Sequence, residues 1–297
     1  MERKLKILVI LGPTASGKSA LAVTLARKLG GEIVSADSRQ VYKGLDIGTG
    51  KITRREMKGI PHHLLDVANP KKQFTVAEYK KLAEKVIDDI VARGKLPIIC
   101  GGTGFYIQAI VDGTVLPEVA PNVRLRARLE KKSAIELFKI LKKLDPRRAK
   151  EIDKNNPRRL VRAIEIAKAL GSVPIVQHRV LHKYEVVQIG IKLSDAELKK
   201  RITIRLLERI RKYMIDEAKQ LHKNGLSWKR MEALGLEYRY LAAYLQREIS
   251  REEMISKLKT EIWHYAKRQM TWFKRDKRIR WQKIKQTNKV DKSYLLF

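Results

Sequence analysis

Apolar positions follow two rhythms in the first hundred residues: short unbroken runs that suit buried strands alternate with stretches of helical period. Residues 6–11 read as a strand, 17–29 as a helix, and 32–36 as a second strand. Residues 74–92 have helical spacing, open on the capping-box pattern Thr75-Val76-Ala77-Glu78 and close at Gly94. A further strand, 96–100, runs into the glycine-rich turn Gly101-Gly102-Thr103-Gly104, and helical character resumes over 104–111. Strands alternating with helices predict an α/β fold with a parallel sheet, and two strands ending at polar loops mark the edge where ligands bind.

From about residue 117 the strand-like runs stop, Lys and Arg become dense, and helical spacing continues to Leu170 before Gly171 and Pro174 interrupt it. Residues 185–193 are strand-like again, and helical pattern from Asp195 onward fills the rest, with turns at Asn224-Gly225 and Gly235. The expected organisation is therefore an α/β core begun by 1–116, a helical insertion at 117–184, and a core completion with a helical C-terminal part over 185–297. The last dozen residues read as a basic tail.

Composition sharpens this picture. With 297 residues and 44% hydrophobic content the chain can bury a large core, and 65 Lys+Arg against 32 Asp+Glu leave a net charge of +33 that attracts polyanions. Residues 121–183 hold 18 basic against 6 acidic residues, and 266–289 hold 10 against 1. No apolar run approaches the roughly 20 residues that span a bilayer. Met1-Glu2-Arg3-Lys4 leads straight into the first strand without a cleavage-site pattern, so a cytoplasmic monomer without membrane attachment is expected. The single Cys100 excludes an internal disulfide and lies in an apolar run, which points to a core residue.

Gly12-Pro13-Thr14-Ala15-Ser16-Gly17-Lys18-Ser19 fits the phosphate-loop pattern G-x-x-x-x-G-K-[ST] and lies between predicted strand and helix. Its backbone N–H groups and the helix N-terminus favour a di- or triphosphate, Lys18 would neutralise a phosphate, and the Ser19 hydroxyl would hold magnesium. The loop alone leaves the reaction open between phosphoryl transfer and stabilisation of a departing diphosphate.

Beyond the loop, the run Ser35-Ala36-Asp37-Ser38-Arg39-Gln40-Val41-Tyr42-Lys43-Gly44-Leu45-Asp46-Ile47-Gly48-Thr49-Gly50-Lys51 resembles the motif of the tRNA dimethylallyltransferase (tRNA isopentenyltransferase) family. Pro61-His62-His63-Leu64-Leu65-Asp66, Gly101-Gly102-Thr103-Gly104-Phe105-Tyr106, Asn156-Pro157-Arg158-Arg159-Leu160-Val161-Arg162-Ala163-Ile164-Glu165 and Ala266-Lys267-Arg268-Gln269-Met270-Thr271-Trp272-Phe273 continue the likeness in order across the chain. The resemblance implies a P-loop α/β core with an inserted helical domain, and magnesium dependence. It implies dimethylallyl diphosphate as co-substrate and the anticodon stem-loop of tRNA as partner, with the prenyl group placed on the adenosine immediately 3′ of the anticodon. Adenylate isopentenyltransferase, acting on a free nucleotide, and a P-loop RNA-binding NTPase or kinase are the alternatives.

An adenine amine is a weak nucleophile and must lose its proton as the new bond forms, so Asp37 is the candidate general base, with a capping or magnesium-associated carboxylate as its plainer role. Thr103 is a candidate to orient the amine, or simply a helix N-cap. Arg205, in Arg201-Ile202-Thr203-Ile204-Arg205, joins the loop residues as a candidate diphosphate ligand; the alternative is a solvated arginine. The RNA-contacting set implied is Asp37, Ser38, Arg39, Gln40, Thr103, Arg124, Arg158, Arg159, Leu160, Val161, Arg162, Lys267 and Arg268. Trp263, Tyr265, Trp272 and Trp281, interleaved with basic residues, have the character of base-stacking groups or of half-buried core aromatics. His62 and His63 lack partners at ligand spacing and read as hydrogen-bonding residues. The segment Ala233-Leu234-Gly235-Leu236-Glu237-Tyr238-Arg239-Tyr240 departs from the family's Gly-Tyr-basic element by placing Glu before the Tyr-Arg pair.

Overall fold

A computed structural model describes residues 5–175 and 184–283; the segment read as a basic tail lies outside the described residues. Strands β1 (Leu5–Leu11), β2 (Gly31–Ala36), β3 (His62–His63), β4 (Leu96–Gly101), β5 (Tyr184–Lys192) and β6 (Arg280–Lys283) form one sheet in the order β3-β2-β4-β1-β5-β6. Every strand pair in it is parallel. Helices α1 (Lys18–Leu29), α2 (Arg54–Met57), α3 (Val76–Ala92) and α4 (Gly104–Val111) connect the early strands.

The central strands are buried on both sides, which is why they appear in the sequence as unbroken apolar runs. Alternate residues serve opposite faces. Leu8, Ile10, Ile33 and Ile98 pack with Leu21 and Leu25 of α1, while Ile7, Val9, Leu11, Val34 and Ile99 join a larger core that includes Tyr79 and Ile87 of α3. The predicted capping box holds: Thr75 accepts from the Glu78 N–H and the Glu78 carboxylate answers the Thr75 N–H at 2.7 Å.

By its contacts the chain divides into Met1–Gly113 with Val180–Phe297, and Thr114–Arg179. The second unit contains α5 (Val123–Leu129), α6 (Ala134–Leu144), α7 (Pro146–Glu151) and α8 (Pro157–Leu170), packed around Leu137, Leu141, Leu160 and Ile164. Its hub is Glu165, 2% exposed, whose carboxylate accepts from Arg126 Nε at 2.9 Å, from the Asn122 N–H at 2.6 Å, and from Arg162.

The first unit continues through α9 (Asp195–Arg211), α10 (Met214–Lys223), α11 (Trp228–Leu234), α12 (Leu236–Leu245) and α13 (Arg251–Phe273). The sequence reading of this part as helical misses β6, which pairs with β5 from Ile189↔Arg280 to Lys192↔Lys283. Four residues with a charge at each end carry no strand rhythm, and on a sheet edge they need none.

Candidate active site

The loops after β1, β2 and β4 meet at one end of the sheet, where β4 lies between β1 and β2. β1 and β4 remain paired up to Leu11↔Gly101, and β2 and β4 up to Ala36↔Gly101. The phosphate loop, Asp37 and Thr103 therefore start from adjacent strand ends.

After β1, the chain turns through Gly17, whose φ of 91° is open to glycine at little cost, and enters α1 at Lys18. The first N–H groups of that helix have no intrahelical acceptor and carry the positive end of its dipole. Lys18 is half-buried and its Nζ donates to the Pro13 carbonyl at 3.3 Å. Burial lowers its pKa, and the Asp37 carboxylate opposes that shift. Ser19 hydrogen-bonds the thiol of Cys100, which burial pushes up to about 11, so this cysteine is a protonated core residue as its apolar neighbours imply.

Arg205 extends from α9 and donates to the Gly50 carbonyl at 2.8 Å. Burial lowers its pKa and Arg209 adds to this, while Asp37 is among the carboxylates that work against it. The Asp37 charge thus bears on both Lys18 and Arg205. One turn earlier on α9, Arg201 lies beside Gly17 and is held by Glu197 at 2.6 Å. One turn later, Arg209 donates to the Gly48 carbonyl at 2.6 Å and pairs with Glu237 at 2.9 Å. The sequence reading names only Arg205 of the three as a ligand, although their four-residue spacing is visible there.

Asp37 follows β2 directly. Its Oδ1 accepts from the N–H of Arg39 at 2.8 Å and of Gln40 at 3.3 Å, so the capping role considered for it is real for that oxygen. Thr103 occupies the N-cap position of α4 but makes no side-chain capping bond. Its Oγ1 instead accepts from the Ser38 N–H at 2.9 Å and donates to Ser38 Oγ at 3.3 Å. Tyr265 also hydrogen-bonds Thr103; burial, then the nearby Asp37 charge, raises its pKa. Tyr265 is thus half-buried, the alternative given for it beside base stacking. Gln40 reaches toward the carbonyls of Thr49 and Gly50, and Arg39 donates to its neighbour's carbonyl at Ser38.

Much of the long motif after β2 is scaffold. The Glu217 carboxylate accepts from the N–H groups of Asp46 at 2.9 Å, Ile47 at 2.7 Å and Gly48 at 2.9 Å, and from the Tyr238 hydroxyl at 2.7 Å. Lys51 bridges Asp46 and Asp66 with a side chain only 6% exposed. The atypical segment after Gly235 is part of the same brace: Glu237 anchors Arg209, and Tyr238 anchors Glu217. His62 Nδ1 bonds the Ile60 carbonyl at 2.8 Å, and His63 Nε2 bonds Glu32 at 2.7 Å.

Several residues assigned to RNA are engaged within the protein itself. Leu160 and Val161 are 0% and 6% exposed in the core of the second unit, because α8 turns that stripe inward. Arg162 is engaged by Glu165 and by the Val119 carbonyl at 2.9 Å. Arg158 and Arg162 therefore do not present one free face. Arg124, Arg158 and Arg159 are exposed in that unit, and Lys267 and Arg268 are exposed on α13. Trp281 packs against Gly190 in the core, and Trp272 lies on Gly104. Trp263 keeps two ammonium groups near its ring, Lys199 at 4.9 Å and Lys267 at 5.9 Å.

A family model described as IPP transferase matches residues 40–276. A protein of Trichlorobacter lovleyi named tRNA dimethylallyltransferase 2 is 45% identical over 92% of this chain and 88% of its own length. Among solved structures, the full-length tRNA isopentenylpyrophosphate transferase of Bacillus halodurans is 37% identical with a TM-score of 0.71, covering 95% of this chain and 90% of that one. A eukaryotic dimethylallyltransferase captured acting on tRNA is 27% identical with a TM-score of 0.76, covering 91% and 70%.

Proposed function

The chain belongs to the tRNA dimethylallyltransferase family, and from that premise we propose how its residues carry out the reaction. The enzyme transfers the dimethylallyl group of dimethylallyl diphosphate to the N6 amine of the adenosine immediately 3′ of the anticodon in tRNA and releases diphosphate. The observation that carries the assignment of roles is the convergence of the phosphate loop, Asp37 and Thr103 at adjacent strand ends, with the Thr103 hydroxyl bonded to Ser38 and the Asp37 charge bearing on Lys18 and Arg205.

The amine nitrogen attacks C1 of the allylic group as the C1–O bond to diphosphate breaks, and the surplus proton on nitrogen passes to the Asp37 carboxylate. One oxygen of Asp37 is fixed by two backbone N–H groups, which aims the carboxylate and limits its rotation. Thr103, held by Ser38, orients the amine. Negative charge gathers on the leaving diphosphate, where the first turn of α1, Lys18 and Arg205 are preorganised donors. A lysine and an arginine whose burial works against their charge are restored by an anionic ligand, which is the chemistry a diphosphate provides.

The Ser19 hydroxyl, in the first turn of α1, is the oxygen donor that fits a magnesium ion, which takes oxygen ligands and substrate oxygens. When bound, it would neutralise diphosphate charge. For the tRNA, exposed Arg124, Arg158 and Arg159 on the helical unit and Lys267 and Arg268 on α13 are the proposed phosphate contacts. Ser38, Arg39 and Gln40 then line the entry of a target base lifted out of its stack. No described helix is long and apolar enough to cross a membrane, and a cytoplasmic monomer is the setting this reading carries.

The test is incubation of the purified protein with magnesium, dimethylallyl diphosphate and unmodified tRNA bearing consecutive adenosines beside the anticodon, followed by nucleoside mass analysis. Prenylated adenosine from tRNA and none from AMP is expected. Product from AMP alone overturns the choice of acceptor, and no product from either overturns the reading.

A further inference from the structure

We propose that Gln269 is a positioning residue that sets the separation between the diphosphate cradle and the turn carrying Thr103, and thereby the alignment of allylic carbon with amine. Gln269 is 6% exposed on α13. Its Oε1 accepts from the Thr14 N–H at 2.8 Å and its Nε2 donates to the Gly102 carbonyl at 2.8 Å. One amide thus joins the backbone of the cradle to the backbone of the residue before Thr103. The β1–β4 ladder has its last pair at Leu11↔Gly101. Past that pair the two loops have separate courses, and the Gln269 amide is the tie just beyond it.

The residue type follows from the geometry. One end must accept and the other donate, which Asn and Gln do and an ionised Glu does not. Asn is shorter by one methylene and cannot span two backbones already set by strands. The approach is also close enough that a side chain at Gly102 would collide with Nε2, so the glycine and the glutamine form a pair.

Each half-site has its own internal support: α1 and Lys18 for the cradle, and the Asp37, Ser38 and Thr103 bonds for the amine side. Loss of Gln269 should therefore leave each substrate's binding largely intact and damage the distance between the two reacting atoms. A misplacement of about 1 Å can cost on the order of a hundredfold in rate.

The inference rests on the prenyl-transfer reading, and wild-type product formation in the same assay distinguishes failure of that reading from failure of this one. Single-turnover rates with both substrates saturating, and KM for each, are measured for Gln269→Leu and Gln269→Glu, with thermal melts to confirm folding. The expected result for Gln269→Leu is a rate loss of roughly tenfold to a hundredfold with each KM within about threefold of wild type. Gln269→Glu keeps the volume and the acceptor for Thr14 but loses the donor while ionised. Its rate relative to wild type should rise as pH falls from 8.5 to 6 and the buried carboxyl regains a proton to donate. If Gln269→Leu does not fold, the Gln269→Glu profile decides. An unchanged rate, a rise in KM for dimethylallyl diphosphate with the rate kept, or a rate ratio for Gln269→Glu that ignores pH would each overturn the proposal.

Discussion

Replacing Asp37 with asparagine separates the two roles its carboxylate fills. The Oδ1 that accepts from Arg39 and Gln40 has an equivalent in the asparagine amide, so the turn after β2 should persist. The proton acceptor is lost, and general bases contribute about 10²–10⁴ in rate, or roughly 2.7–5.4 kcal/mol in the barrier. The negative charge that offsets Lys18 and Arg205 is also lost, so binding of dimethylallyl diphosphate should hold or tighten. Asp37→Ala loses base and cap together; the two abandoned N–H bonds cost about 1–2 kcal/mol, which lowers Tm by about 2–8 °C in a chain of this size. The assay is single-turnover formation of prenylated adenosine for both variants, with melting curves beside it. A hundredfold or greater loss in Asp37→Asn, with Tm within about 2 °C of wild type, is expected. If Asp37→Asn retained a third of the wild-type rate while Asp37→Ala was crippled, Asp37 would be a turn cap and the proton would leave elsewhere.

Three further outcomes are expected. Arg205→Ala should slow turnover by about 10²–10³ by removing one donor to the leaving group, and Arg205→Lys should recover part of that loss, read from diphosphate release. Glu165 has its pKa held down to about 2: burial works to raise it and is overridden by hydrogen bonds from Arg126, the Asn122 N–H and Arg162. A depressed folded-state value means that its stabilisation is present above 4.5, the ordinary glutamate value, and fades as pH falls toward 2. Denaturant titrations should accordingly show Glu165→Gln less stable than wild type at pH 7, and the gap narrowing at pH 3. Arg158→Ala with Arg159→Ala should raise KM for tRNA, leave the saturated rate unchanged, and reduce the slope of log KM against log salt by about 0.7–0.9 for each phosphate no longer neutralised.

The sheet, its two faces and the phosphate loop were legible because each depends on residues close in sequence. Unbroken apolar runs become strands buried on both sides, Thr75 and Glu78 cap a helix across three residues, and Gly12 to Ser19 carry their own backbone turn. Asp37 and Thr103 could be proposed because each lies within two residues of the end of a strand whose place in the sheet is implied by the alternation. Roles that depend on which way a helix faces were less legible. Leu160 and Val161 sit between arginines in the sequence, yet α8 turns them inward and Glu165 engages Arg162. Trp281 lies in a basic stretch, and an edge strand that has no alternation places it on Gly190.

The residues that hold the site together were invisible for a different reason. Glu217 is an ordinary glutamate of an amphipathic helix until folding places three N–H groups from residues 169–171 positions away around its carboxylate. Gln269 reads as one polar position among basic ones until its amide meets two loops 167 and 255 residues distant. Gln269 bonds only to backbone in these contacts and Glu217 mostly so, with Tyr238 as its one side-chain partner among them, and backbone groups leave no mark in the sequence to suggest them. The same feature explains why a motif as long as 35–51 contains so few groups that face the substrates. Gly48 and Gly50 offer their carbonyls to Arg209 and Arg205, and Asp46, Ile47 and Gly48 offer their N–H groups to Glu217. What the motif specifies is a loop conformation whose main chain aims Arg205 from another helix. A side chain at Gly50, which would meet the Arg205 guanidinium, should therefore act on turnover through the arginine it displaces.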